Sequence, residues 1–396
     1  MYLIEPTLQR YAWGSKRAIP RILGNSADGS PVAEAWYGAH HSAPSTLANR
    51  TGHTLLDLLN KEPNRLLGDD VVSRFGPQLP YLLKIISAGA PLSLQVHPTI
   101  ELAQQEYAAE NAAGIGLDEP HRNYKDQNHK PELVFALTSF QALSGFRAPR
   151  RVLEVLKGLN APLAEQLRDI VAAQPTAAGI RAAFEFLLRE ETRPTQEEIS
   201  AVVDACSRRM LGRSPSRRAD SIVVRLAKHY PGDPGVITSL LLNPVTLKEG
   251  EVMFVPAGSV HAYLSGTAIE VMSNSNNVLR AGLTPKHVDV PQLVKATDWV
   301  AAPPLRIAPE KFDDGRRVFY APVEDFELSV TRVRLGRMRP LAGRGPRVVL
   351  CLDGQVELMS RSSALRIRRG QAAFVGADEG ELSVRGRGSV VQSDVP

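Results

Sequence analysis

The sequence predicts a mainly β fold with an α insert: two related β-barrels, the first interrupted by a helical domain and the second closing the chain. Three observations predict it. Residues 1–149 read as short strand-like runs broken by Gly and Pro. Residues 150–230 switch to Ala, Leu, Glu and Arg recurring at helical spacing. Beyond them strand texture returns, and Gly250-Glu-Val-Met-Phe-Val-Pro-Ala257 recurs 120 residues later as Gly370-Gln-Ala-Ala-Phe-Val-Gly-Ala377. The expected modules are 1–149 with 231–318, a helical insert at 150–230, and a C-terminal barrel at 319–396.

In chain order, HTLLDLLNKE reads as a local helix, and LPYLLKII, LSLQVH and PELVFAL as strands. In the insert, Thr195 and Glu198 have capping-box spacing. Ile199, Val202, Val203, Cys206 and Met210 then form one apolar stripe, which makes Cys206 a core thiol. SIVVRLAKHY stops at PGDPG. Strands resume in VTLKEGEVMFVPAGSVHAYLSGTAIEVM, and Asp353–Gly354 in VVLCLDGQVELM carries a hairpin signal. At the 120-residue offset His261 corresponds to Glu381, and no histidine follows His287, so the second barrel cannot reproduce a histidine metal site.

Composition narrows the function classes. A 396-residue chain with 43% hydrophobic and 22% charged residues is neither disordered nor fibrous. Cys206 and Cys351 match no metal or redox spacing, which excludes a disulfide scaffold. MYLIEPTLQR lacks the order of a signal peptide, and the most apolar stretch is broken by Lys84 and Pro91. A cytoplasmic protein with no membrane partner is expected. The net charge of +5 favours anionic small molecules and is weak support for nucleic acid, which is not expected as a partner. The arginine-rich runs RVRLGRMRPLAGRGPR and RIRRG read as solvated strand faces and turns, because they lack interleaved aromatics. An acidic partner is the alternative.

Four segments carry candidate chemistry. In Ser93-Leu-Gln95-Val-His97-Pro98, strand alternation puts Ser93, Gln95 and His97 on one face. A solvated polar face is one reading and metal ligation the other. In His129-Lys130-Pro131-Glu132, Glu132 opens a strand on its apolar side and needs either a metal or a counter-charge, of which Lys130 is the nearest. In Gly258-Ser-Val-His261-Ala-Tyr263 a turn delivers His261 and Tyr263 to one strand face. Together Gln95, His97, Glu132 and His261 suit a divalent ion such as zinc. Finally, Glu270 lies in an apolar strand, and Arg280 and Lys286 flank a small-residue turn suited to a phosphate or an oxyanion.

These residues resemble a known family, type I phosphomannose isomerase, zinc enzymes of the cupin superfamily. The match runs through Tyr11-Ala-Trp13-Gly14, Ala33-Glu34-Ala-Trp36-Tyr-Gly38-Ala-His40, Tyr81-Leu-Leu-Lys84, Gln95-Val-His97-Pro98, His129-Lys-Pro-Glu132, Gly258-Ser-Val-His261-Ala-Tyr263 and Asn277-Val-Leu-Arg280-Ala-Gly-Leu-Thr284-Pro-Lys286. The resemblance implies jelly-roll barrels and one Zn2+ held by Gln95, His97, Glu132 and His261. It implies Arg280 as catalytic arginine, Lys130 and Glu270 as active-site groups, and Ser93, Lys84 and Lys286 on the sugar phosphate. Two positions depart from the family pattern: Asn276 stands where an acid is common, and His41 where a proline is. The implied activity is interconversion of mannose 6-phosphate and fructose 6-phosphate through a cis-enediol, on the way to GDP-mannose, by an enzyme expected to be a monomer. Glu270, Lys130 and a hydroxide held by the metal are rival bases. An oxygenase or decarboxylase of the same superfamily, or a non-catalytic sugar-phosphate binder, are the alternatives.

Overall fold

The computed structural model describes residues 1–396. Its strands gather into two antiparallel sheets, of eleven and ten strands. The organiser of the larger sheet is the long strand His261–Ser273. Its second half pairs with Tyr81–Ala88 on one side and Glu132–Ala136 on the other. Its first half pairs with Phe140–Phe146 and, at His261, with Leu94–Val96. Between the halves the register shifts at Tyr263/Ser265. Gly266 there has φ +113°, and a Cβ on it would meet the Ser139 carbonyl at 2.5 Å, so only glycine lets the strand bend across its neighbour.

Strand alternation sorts the side chains onto two faces. Val134, Ala136, Met253, Val255, Tyr263 and Ala268 share a small inward cluster. Leu133, Phe135, Phe254, Ile269 and Val271 point the other way, into a cluster of 33 buried residues shared with the second sheet through Leu328, Val348, Leu350, Phe374 and Val391. Each such side chain contributes ~1.5–3 kcal/mol of burial, which welds the sheets face to face.

Helices Pro149–Leu156, Pro162–Ala173, Ala177–Leu188, Gln196–Leu211 and Arg217–His229 follow one another between Phe140–Phe146 and Leu242–Leu247. Thr195 and Glu198 form the reciprocal capping box. Cys206 is buried in the helical core, as are Leu94, Val96, Ala262 and Leu264 from the strands. The helices therefore take the apolar face of Leu94–Val96, which leaves Ser93, Gln95 and His97 on the opposite one.

Three details differ from the sequence expectation. Asp353–Gly354 does not turn the chain. Arg347–Met359 is one strand paired with Ser383–Asp394, with a register shift at Cys351/Asp353, and Gly354 at φ +71° marks that irregularity. The reversal comes later, where Ser360 N–H donates to the Ser363 carbonyl. Second, the first strand, Tyr2–Glu5, joins the C-terminal sheet by pairing with Ala372–Val375, so residues 1–149 do not all lie in one sheet. That strand covers backbone groups that would otherwise form an open edge. Third, Leu305–Ile307 still pairs in the larger sheet and Glu310–Lys311 already pairs in the smaller, so the crossing falls before residue 319.

Candidate metal centre

His261 lies opposite Gln95, and Gln95 opposite Arg280, so three neighbouring strands present His261, Gln95 and Arg280 side by side. Gln95 Nε2 donates to Ser93 Oγ at 3.1 Å, which turns its amide oxygen toward the remaining space. Glu132 opens its strand opposite Met272, and His97 ends the run after Leu94–Val96. His97, Glu132 and His261 are all buried, and their ligand atoms lie within 4.8 Å of one another.

The tautomers follow from the hydrogen bonds. His97 Nδ1 sits 2.7 Å from the Asn277 carbonyl and His261 Nδ1 3.0 Å from the Ser259 carbonyl. A carbonyl only accepts, so both imidazoles carry their proton on Nδ1 and aim the Nε2 lone pair inward. Burial, and then the charge of Lys130, pushes the His97 imidazole down to about 3, so it is neutral near pH 7. Its Nε2 lies 3.2 Å from Glu132 Oε1, yet has no hydrogen-bond partner; His261 Nε2 lies 3.5 Å from Glu132 Oε2. Acceptors face acceptors. Such a cluster is unfavourable alone and fits a cation shared among the three, with the amide oxygen of Gln95 as a further donor.

Glu132 stays a carboxylate. Burial raises its pKa, but the charge of Lys130 opposes this, and the group is held well below the usual carboxylate range. Lys130 Nζ lies 3.2 Å from Oε1, and the Tyr263 hydroxyl donates to Oε2 at 2.6 Å. These contacts fix the plane of the carboxylate. Both cation and metal demands on Glu132 are thus met by different lone pairs of one group.

Glu270 and Lys84 are cross-strand partners, and Lys84 Nζ lies 3.1 Å from Glu270 Oε2 and 3.9 Å from Glu34 Oε1. Burial, then the charge of Glu132, raises the Glu270 pKa, and its Oε1 has no partner. Lys84 also lies over the Trp36 ring at 5.1 Å. Placed among two carboxylates and only 4% exposed, its ammonium is paired inside the sheet. Arg280 and Lys286 are different: neither forms an ion pair, and the charge of Arg280, followed by burial, pulls the Lys286 pKa down. A cation held close enough to depress its neighbour, with neither paired to a carboxylate, suits an anion.

The sequence reading missed four contributors. Tyr263 was placed on the right face but given no task. The Asn277 backbone orients His97, while its side chain accepts from the N–H groups of Lys125 and Asp126. Glu34 accepts from Trp36 Nε1 at 2.7 Å and shares Lys84. His40 stands edge-on to Trp36 with a buried, partnerless Nε2. A carboxylate inside the fully buried run Glu34–Tyr37 was the available signal for Glu34. Asn276, the departure from the family acid, donates its N–H to Asp126 at 2.6 Å and touches His41 Nε2 at 3.1 Å.

Comparison with known proteins agrees with this geometry. Residues 1–149 match the family model described as phosphomannose isomerase type I, catalytic domain. A mannose-6-phosphate isomerase of Escherichia coli (strain K12) is 36% identical over 393 residues, covering 98% of this chain and 97% of the relative. The Homo sapiens mannose-6-phosphate isomerase is 31% identical over 410 residues, covering 96% and 94%. A crystal structure of the Salmonella typhimurium enzyme, bound to substrate (F6P) and zinc, superposes with a TM-score of 0.89 at 35% identity, covering 100% of this chain and 99% of that one.

Proposed function

The chain belongs to the type I phosphomannose isomerase family, and from that premise we propose that it interconverts mannose 6-phosphate and fructose 6-phosphate with one zinc ion. The carrying observation is the buried trio His97, Glu132 and His261, in which two imidazoles, each with Nδ1 committed to a carbonyl, and a carboxylate converge on one point. Those three, with Gln95, would hold the zinc. When bound, it supplies a Lewis acid for the sugar oxygens.

The chain's own groups do the rest. Arg280, one strand from Gln95 and without a carboxylate partner, balances negative charge on the enediol oxygens. Lys286 and Ser93 beside it receive the phosphate; Lys84 serves Glu270 instead. Moving a proton between C1 and C2 requires a base. Glu270 suits this better than Lys130, because its Oε1 is free to accept while Lys130 stands against Glu132. Lys130 and Tyr263 keep Glu132 ionised and oriented.

No helix is long and apolar enough to cross a membrane, and we infer a cytoplasmic monomer. The division into a split metal-binding module, a helical insert and a C-terminal barrel is proposed on the same footing. The decisive experiment is a coupled assay of fructose 6-phosphate formed from mannose 6-phosphate. Activity should vanish with a chelator and return with zinc; zinc-loaded protein without turnover would overturn the reading.

A further inference from the structure

The two arginine-rich runs that the sequence leaves as solvated faces converge on one cavity of about 1150 Å³ between the two sheets. Arg332, Arg334, Arg337 and Arg339 come from the strand and turn after Glu327, and Arg369 from the turn before Ala372–Val375. Arg317 and Arg21 reach in from two further elements. Only Glu249, Asp313 and Asp353 supply negative charge to the lining.

These guanidiniums are unpaired. Four arginines elsewhere in the same module do find carboxylates: Arg316 pairs with Asp314, Arg344 with Glu381, and Arg366 and Arg385 with Glu357. None of the seven in the cavity forms an ion pair, and Arg339 Nε is buried with no partner at all. Seven like charges around one space repel each other, and the fold does not spend a carboxylate on relieving them.

The lining is not polar throughout. Ile22, Phe135, Leu137, Val330 and Leu352 contribute an apolar part. Phe135 and Leu137 lie on the opposite face of their strand from Glu132, so the cavity is separate from the metal centre. Both corners of the internal repeat border it, through Gly250 and Arg369.

We propose that this interdomain cleft binds a nucleotide-class polyphosphate, its phosphates held by the arginines and its organic part on the apolar lining. A planar guanidinium grips phosphate oxygens in pairs, and one phosphate group engages only a few of them. Seven arginines from several segments therefore suit phosphates in series rather than a single one. The volume also suits a ligand larger than an inorganic ion. A nucleic acid strand fits less well, since no exposed aromatic platform accompanies the arginines.

The test is calorimetry of the zinc-loaded, full-length protein with magnesium-saturated ATP, GTP and tripolyphosphate, and with inorganic phosphate for comparison. Magnesium saturation limits stripping of zinc by the probes, and zinc content is measured alongside. The nucleotides should bind at least about tenfold more tightly than inorganic phosphate and more tightly than bare tripolyphosphate. The triple variant Arg332→Ala/Arg334→Ala/Arg337→Ala, altered only at exposed positions, should weaken them at least about tenfold. Isomerase turnover of that variant should be unchanged, and mannose 6-phosphate should not displace the nucleotide. Equal affinity for phosphate and nucleotides, a nucleotide no tighter than tripolyphosphate, unchanged binding in the variant, or displacement by mannose 6-phosphate would each overturn the proposal. So would binding only to phosphatidylserine vesicles, the outcome that the exposed Leu335 and Met338, adjacent in sequence to Arg334 and Arg337, would favour.

Discussion

In the larger sheet Met272 lies opposite Glu132, and 120 residues later Gln392 lies opposite Val349 in the C-terminal sheet. The strands before them match as well: Met253 and Val255 correspond to Ala373 and Val375, all inward. From this shared register the two interiors diverge. Glu132 is replaced by Val349, Glu270 by Val390 and His261 by Glu381, the last of which is exposed and paired with Arg344. At these positions the C-terminal interior is apolar, with Val349 and Val390 packed among Cys351, Val356, Leu358, Ala373 and Val384, while Gln392 and Asp394 are buried further along the same strand as Val390. The comparison teaches that this strand arrangement does not require a polar group at the positions of Glu132 and Glu270, which Val349 and Val390 fill. The acceptors of the metal centre are therefore a burden on stability, tolerated for chemistry and relieved by a cation.

The most severe way to break the comparison is to make the larger sheet resemble the smaller. Glu132→Ala should lower kcat/KM at least ~10^3-fold and release the metal, measured by steady-state assay and metal analysis. Retained metal with near-normal turnover would refute the assignment of Glu132. The reverse exchange, Val349→Glu, places a carboxylate in an interior where no lysine or histidine waits. It should cost about 3 kcal/mol or more in urea unfolding while leaving any surviving fold able to bind zinc.

The two corner glycines allow a finer distinction. Gly250 and Gly370 have nearly the same φ, +84° and +82°. A Cβ on Gly250 would meet only the Arg317 guanidinium at 3.5 Å, whereas on Gly370 it would meet the Ile22 carbonyl at 2.6 Å and Leu23 Cα at 2.7 Å. Gly250→Ala should therefore cost about 1 kcal/mol of backbone strain, and Gly370→Ala about twice that because backbone must also move. Thermal unfolding of both variants measures the gap, and equal losses would show that the shared turn, not its neighbours, sets the cost.

How much of this was legible beforehand depends on whether the signal was local. Glu132 announced itself as a carboxylate on the apolar side of a strand, His97 by sharing a face with Ser93 and Gln95, and His261 by the glycine turn before it, and the capping box at Thr195 is a four-residue pattern. The repeat at Gly250 and Gly370 pointed to the shared corner for the same reason. What escaped was set by partners distant in the chain. Asp353–Gly354 has hairpin chemistry, yet pairing of Arg347–Met359 with Ser383–Asp394 on both sides of it keeps the strand running. That Lys84 pairs with Glu270 is set by a cross-strand neighbour 186 residues away. The convergence of Arg21, Arg317, Arg332 and Arg369 is invisible in any one segment.

The last contrast concerns the buried acids of the two sheets. Two residues before Glu132 stands Lys130, and two before Val349 stands Arg347, so each sheet has a cation at the same register. Lys130 spends its charge on Glu132. Arg347 instead donates to the carbonyls of Gly343 and Gly380, and Asp394 nearby receives only Gln392 Nε2 on Oδ1, with Oδ2 unpartnered. Glu327, its cross-strand partner, adds a second acid, and the buried Tyr81 hydroxyl donates to the Pro346 and Ser393 carbonyls rather than to Asp394. Burial, then the charge of Glu327, consequently pushes the Asp394 carboxyl up to about 8. A carboxyl protonated in the fold but ionised in the unfolded chain lends stability that is complete below the unfolded range near 4 and lost as pH rises toward 8. Unfolding free energy should therefore fall across that interval, by at most ~1.4 kcal/mol per pH unit from this group. Asp394→Asn, which keeps the Gln392 contact without the charge, should flatten the fall. A variant with the same pH slope as the parent would mean that Arg347 neutralises Asp394 after all, and the two sheets would then treat their buried acids alike.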